Sequence, residues 1–109
     1  MATISIDDFR NVELRVATIT AAAAHPKADR LLVLTVDLGS EHRQLVAGIR
    51  AHYEPQDLIG KQIVVVANLE PATLRGVENQ GMLLAASDSE GRLAIVVPER
   101  PVACGAQVK

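Results

Sequence analysis

From Val12 to Thr20, the apolar positions Val12, Leu14 and Val16 alternate with Glu13, Arg15 and Ala17, the period of two expected of a half-buried strand. A second apolar run, Leu31 to Leu38, meets Gly39-Ser40-Glu41 and resumes at Gln44-Leu45-Val46-Ala47, which predicts two strands joined by a short glycine-containing turn. Between the first two strands, His25-Pro26-Lys27-Ala28-Asp29 carries a proline that biases His25 away from helix, so this stretch reads as a loop. The pattern weakens from Gly48 to Gly60 around Pro55 and Asp57, predicting a crossover with one helical turn. Ile63 to Ala67 and Gly81 to Ala86 give strands four and five on either side of a polar loop. Near the start, Ser5 followed three residues later by Asp8 has the pattern of a capping box opening a short helical turn.

Five short strands with a helical turn between the third and fourth predict an all-β fold, the five-stranded Greek-key barrel known as the OB-fold. Arg92 to Val97 and Ala106 to Val108 are expected as appended C-terminal strands. A doubly wound α/β fold needs crossover helices of about ten or more residues, and no amphipathic segment of that length is present. With no internal repeat and no obvious linker, residues 1–109 read as one domain.

Composition refines this picture in two ways. The 49% hydrophobic content is carried by aliphatic residues, with one Phe, one Tyr and no Trp, so the core is aliphatic. Single-stranded nucleic-acid binders depend on aromatic platforms for stacking, and only Phe9 and Tyr53 are on offer, Phe9 being expected to plug the core. The single cysteine, Cys104, excludes an intrachain disulfide and suits a reducing cytoplasm, with a packing role in the tail rather than a reactive one. No run approaches the ~20 apolar residues needed to span a bilayer, and no export signal is evident, so a membrane partner is not expected.

Charge points the other way from nucleic acid. Eleven Lys and Arg against 13 Asp and Glu give a net charge of −2, whereas nucleic-acid domains are usually basic. Eight of the 11 cations are arginine, whose planar fork of donors suits phosphate, so a local patch can override the total. Arg15, Arg30, Arg43, Arg50 and Arg75 are the candidates for that patch.

No catalytic constellation is found. His25, His42 and His52 fall in expected loops or turns, with no Ser or Cys at nucleophile-elbow spacing and no metal-ligand spacing among them. Gly76 and Gly81 lack the following Lys and Ser or Thr of a phosphate-binding loop and read as turn glycines at the barrel mouth. No enzyme activity, metal or cofactor is expected.

The stretch Asn68-Leu69-Glu70-Pro71-Ala72-Thr73-Leu74-Arg75-Gly76-Val77-Glu78-Asn79-Gln80-Gly81-Met82-Leu83-Leu84-Ala85-Ala86 resembles the signature of the tRNA-binding domain family. That family occurs as free-standing dimeric proteins, as the C-terminal domain of many methionyl-tRNA synthetases, and in the related endothelial-monocyte-activating polypeptide domain. Asp8-Phe9 with Val12-Glu13-Leu14-Arg15-Val16, His25-Pro26-Lys27-Ala28-Asp29-Arg30-Leu31-Leu32, Val36-Asp37-Leu38-Gly39 and Val46-Ala47-Gly48-Ile49 resemble its successive blocks in order. The ending Gly105-Ala106-Gln107-Val108-Lys109 looks like the tail of a bacterial methionyl-tRNA synthetase.

The resemblance implies an OB-fold homodimer whose tail helps join the subunits, contacting the outer corner of tRNA by shape and associating with the methionyl-tRNA synthetase catalytic chain. It implies RNA contacts at Asn68, Asn79 and Met82, with Arg75 and Arg15 as basic neighbours; with Gln80 and the remaining arginines Arg30, Arg43 and Arg50, these form the candidate RNA-binding set. Ala72 and Thr73 stand where many members carry Arg and Lys, and with the acidic total this predicts modest affinity. Two alternatives are open on the same features: a chaperone-like, secretion-related protein that binds polypeptides, and a dimerisation domain alone.

Overall fold

The computed structural model describes all 109 residues. Its centre is a nearly closed antiparallel barrel in the order β3-β2-β1-β4-β7, the all-β OB-fold-like architecture that the strand pattern predicts. The strands are β1 (Leu14–Ala24), β2 (Leu32–Asp37), β3 (His42–Ala47), β4 (Gln62–Val66) and β7 (Met82–Leu83). Two short hairpins are appended, β5 (Ala72–Leu74) with β6 (Val77–Asn79) and β8 (Ala85–Ser87) with β9 (Leu93–Ile95). A final strand, β10 (Gln107–Val108), pairs with the start of β1.

β1 runs four residues past Thr20, where the alternation ends. Its first half pairs with β4, from Leu14↔Val66 to Thr18↔Gln62. Its second half pairs with β2 as far as Ala24↔Leu32, after a register shift between Ile19 and Ala21. Alanine is a poor strand former on its own, but Ala21–Ala24 lie opposite Leu32–Thr35, and pairing with that strand decides their conformation.

β2 shows the cleanest alternation: Leu32, Leu34 and Val36 are fully buried, while Val33, Thr35 and Asp37 are half-buried. With Ile19, Leu45, Ile63 and Val65 they form an aliphatic core. At about 1.5–3 kcal/mol for each fully buried aliphatic side chain, this core dominates the stability of the domain. The crossover supplies its plug: α2 (Pro55–Leu58) buries Leu58 completely. Tyr53 packs against the core edge and its hydroxyl accepts the Ile95 N–H at 3.1 Å, so this ring is structural.

Three expectations need correcting. Phe9 does not plug the core. It lies half-buried on α1 (Ile6–Arg10), outside the aliphatic cluster, lining a surface cavity with Ile6, Val12 and Val108. The apolar run Gly81–Ala86 is not one strand. Leu84 donates to Val64 O at 3.1 Å and accepts from Val96 at 2.8 Å, so the chain changes partner there, from β4 to β9. His42 opens β3 rather than lying in a turn. The helical turn at the start is present as expected, with the Ser5 Oγ accepting the Asp8 N–H at 3.0 Å.

The C-terminal segment is held against the end of β2 by two glycines. A Cβ on Gly105 would lie 2.3 Å from Leu38 O, and one on Gly39 would lie 2.7 Å from Cys104 O. Such closeness admits only hydrogen at either position. Gly105 in turn donates to Val16 O at 2.7 Å.

Candidate nucleic-acid interface

The loop between β4 and β7, expected as an unstructured polar connection, contains a hairpin. β5 and β6 pair from Ala72↔Asn79 to Leu74↔Val77, leaving Arg75-Gly76 as a two-residue turn. Both turn residues have positive φ, 53° at Arg75 and 88° at Gly76. Two-residue hairpin turns that match strand twist require this, and Asn or Gly is the usual occupant of the first position. Arg75 therefore sits in a conformation costly for its type, at the exposed tip of the hairpin.

The base of the hairpin is anchored by the side chains that the sequence marks as polar. Asn68 Oδ1 accepts the Glu13 N–H at 2.8 Å and its Nδ2 donates to Asn11 O at 2.7 Å, fixing the chain as it leaves β4. Asn79 Oδ1 accepts from Val46 N–H at 3.0 Å, and Gln80 Oε1 accepts from Gln44 N–H at 2.9 Å. These two amides take the place of a neighbouring strand along β3, closing the seam of the barrel between β3 and β7. Gln80 N–H donates back to Gln44 O at 2.9 Å, and Gln44 Nε2 to Glu78 O at 2.8 Å. Arg43 donates to Ala67 O and, at 3.4 Å, to Gln80 O, bridging both ends of the segment.

The other side of the hairpin meets the loop between β1 and β2. His25, 3% exposed, is the one buried polar side chain. Its Nε2 lies 3.0 Å from Leu74 O, and its Nδ1 accepts the Lys27 N–H at 2.9 Å. Arg50 N–H donates to Arg30 O at 3.4 Å, bringing the segment after β3 to the same loop. OB-folds use the loops between the first and second strands and between the fourth and fifth to bind oligonucleotides. Here both loops are present, tied to one another.

The arginines divide into two groups. Arg10, Arg15, Arg43, Arg92 and Arg100 each form an ion pair, with Asp7, Glu13, Glu41, Asp88 and Glu90, and Glu99 respectively. Arg15 also donates to Gly105 O at 2.8 Å, pinning the C-terminal segment. Arg15 and Arg43 line a polar cavity with Glu13 and Glu41, so their charge is locally cancelled. Arg30, Arg50 and Arg75 are exposed and have no ion pair, and Lys27 in the same loop is likewise unpaired. The unpaired arginines are those carried by the two loops and the segment beside them.

Of the nine residues expected to contact RNA, Arg30, Arg50, Arg75 and the 48% exposed Met82 present free side chains. Asn68, Asn79, Gln80, Arg15 and Arg43 spend bonding groups on the protein itself; Asn79 Nδ2 makes no bond within the chain. Sequence reasoning missed His25 as a bridge and Lys27 as a member of the patch. The Glu-x-Arg spacing at Glu13-Arg15 and Glu41-Arg43 was the available signal for the paired arginines, because residues two apart on a strand share a face. No group of three or more His, Cys, Asp or Glu side chains is placed to hold a metal ion. No helix is long and apolar enough to cross a membrane.

Residues 14–107 match the family model described as "Putative tRNA binding domain". The chain is 51% identical over 109 residues to a methionine–tRNA ligase of Thermococcus kodakarensis, covering all of this chain and 15% of that protein. It is 53% identical over 106 residues to the corresponding ligase of Deinococcus radiodurans, covering 97% of this chain and 16% of that protein. Among solved structures, a MetRS related protein from Pyrococcus horikoshii superposes with a TM-score of 0.94 at 33% identity, each chain covered completely. The chaperone CsaA from Bacillus anthracis does so with a TM-score of 0.90 at 29% identity, covering 99% of this chain and 100% of that one. By the family match over nearly its whole length, by its identity to these ligases, and by a barrel with a cation-bearing mouth, the chain belongs to the tRNA-binding domain family.

Proposed function

We propose that the domain is a non-catalytic, structure-specific tRNA-binding module that works as a homodimer in the cytoplasm. In this reading it is the C-terminal domain or β-subunit of a methionyl-tRNA synthetase, raising its affinity for tRNA. The observation that carries the reading is the gathering of Arg30, Arg50 and Arg75 with Lys27 around two tied loops, while the other five arginines are neutralised by carboxylates. An acidic total charge does not oppose binding when five arginines are already neutralised by carboxylates and the three free ones are carried on two tied loops and the segment beside them. The scarcity of aromatic platforms favours folded over single-stranded RNA. The chain spans only 15% and 16% of the length of the two ligases it matches. Attachment or association would let a weak module contribute through effective concentration.

Binding of tRNA across a salt series tests the reading. Four cations on phosphates predict a slope of log affinity against log salt of about −3 to −4, with Arg30→Ala and Arg50→Ala each reducing it by nearly one unit. A slope near zero, or no binding at micromolar protein, overturns it. Sedimentation of the free domain tests the dimer, a monomer at all concentrations counting against it.

A second reading has its own support. Beside the β3–β7 seam, Val46, Ile49, Met82, Leu83 and Leu93 line an open apolar cavity of about 370 Å³, and a chaperone shares the fold. Capture of unfolded polypeptide that is insensitive to salt and to competing tRNA would favour this reading.

A further inference from the structure

We infer that His25 is a positioning residue for RNA binding: its imidazole ties the loop after β1 to the tip of the β5–β6 hairpin, so that Arg75 is presented beside Lys27 and Arg30. The inference rests on the tRNA-binding reading and adds to it a residue that would not touch RNA.

Burial sets the first constraint. A histidine 3% exposed in a loop must have both ring nitrogens satisfied, and here each has a backbone partner. Nδ1 receives the Lys27 N–H, so Nδ1 carries no proton and the Nε2–H tautomer donates to Leu74 O. The two bonds do different work. The first closes the turn His25-Pro26-Lys27 within its own loop. The second reaches 49 residues along the chain to the carbonyl immediately before Arg75.

Holding that carbonyl holds the turn beside it. Arg75 has φ of 53°, and only a fixed turn keeps a large side chain in that region. The hairpin is anchored at its base by Asn79, Gln80 and Arg43, but these groups lie at the far end of strands of three residues each. At the tip, the other residues, Leu74 and Gly76, are exposed. The imidazole thus joins two cation-bearing segments that are distant in sequence. Fixing them in one geometry lowers the ordering cost that flexible cations would bear on meeting phosphate.

The two ring nitrogens are separable by substitution. In His25→Gln the amide can supply a donor toward Leu74 O, while His25→Asn keeps an acceptor near the Lys27 N–H but is too short to reach the hairpin. The assay is binding of bulk tRNA to the full chain over a salt series, for wild type, Arg75→Ala, His25→Asn, His25→Gln and the double variant His25→Asn/Arg75→Ala. His25→Asn and Arg75→Ala are each expected to weaken binding about five- to tenfold, the scale of one charge-assisted contact. Both are expected to lower the salt slope by nearly one unit. The double variant is expected to bind no worse than Arg75→Ala, and His25→Gln to recover most of the loss. Independent, multiplying losses in the double variant overturn the inference, as does unchanged affinity in His25→Asn.

A measurement on the unmodified protein guards against a folding defect. Long-range nitrogen–proton correlation spectra are expected to show the Nε2–H tautomer for His25, with its proton protected from exchange. An Nδ1–H tautomer overturns the inference whatever the variants do. Failure of the wild type to bind tRNA at all is a different outcome, and refutes the tRNA-binding reading on which this one rests.

Discussion

Arg75 illustrates a conflict between local conformation and side-chain chemistry. At the first position of its hairpin turn, asparagine would relieve a left-handed backbone penalty that arginine bears. Arg75→Asn is therefore expected to stabilise the fold by about 0.5–1 kcal/mol in urea denaturation while weakening tRNA binding. Loss of stability without loss of binding would refute both halves. The other arginines are sorted by sequence spacing. Glu13 and Glu41 lie two residues before Arg15 and Arg43, Asp7 three before Arg10, Asp88 four before Arg92, and Glu99 next to Arg100. Arg50 and Arg75 have no carboxylate within three residues except Glu78 at the third, and Arg30 has only its neighbour Asp29, with which it forms no ion pair in the turn that holds them both. The distinction between structural and free cations was therefore legible in part. The role of His25 was not, because its partner is 49 residues away.

Among elements, the long alternating strands were readable and the short ones were not. β1 and β2 announce themselves by alternation and apolar run, and β3 and β4 by short apolar, β-branched runs, all four against a shared core. The β5–β6 hairpin has only three residues a side, mostly exposed, with Arg-Gly in place of Asn-Gly, so neither pattern nor turn signal marks it. The break at Leu84 is invisible in a continuous apolar run, because residue type alone does not show that Leu83 is buried while Ala85–Ser87 turn out to the surface. Arg43 is the element-scale anchor of the candidate site. Arg43→Ala leaves Ala67 O and Gln80 O without that donor and is expected to cost about 1–3 kcal/mol of stability. It is also expected to raise amide exchange across residues 72–79 above that of β2, which exchange measurements resolve. In the β8–β9 hairpin, Asp88 accepts the Arg92 N–H, the Arg92 guanidinium and the Glu90 N–H, which hold its carboxyl below the usual value. A lowered folded-state pKa gives stabilisation that is present at neutral pH and lost as pH falls below the ordinary carboxylate range. The amides of Glu90 and Arg92 are thus expected to keep their chemical shifts down to that range and to move below it, and an earlier change would contradict this assignment.

For the whole molecule, one aliphatic core and one tail closure set stability. Leu34 is fully buried, and Leu34→Ala is expected to cost about 2–5 kcal/mol by chemical denaturation without altering the salt slope of any RNA binding that survives. Gly105→Ala drives a methyl group to 2.3 Å from Leu38 O and is expected to release the C-terminal segment from β1. If that segment also joins two copies, the same change shifts the sedimentation of the domain toward monomer. The architecture and its family were therefore readable from pattern and resemblance, whereas the way the barrel closes depended on side-chain hydrogen bonds between distant segments.

That closure has a modular consequence. Because amide side chains of Asn79, the last residue of β6, and Gln80 complete the seam along β3, the barrel and the hairpin share no backbone ladder. Residues 70 to 78 are framed at their ends by Asn68, Arg43, Asn79 and Gln80 and bonded to the barrel at Leu74 O by His25 and at Glu78 O by Gln44. A segment of another charge that keeps those two carbonyl contacts is therefore expected to leave the aliphatic core intact, so the same chassis is open to tuning toward a different ligand through the exposed positions of that short segment alone.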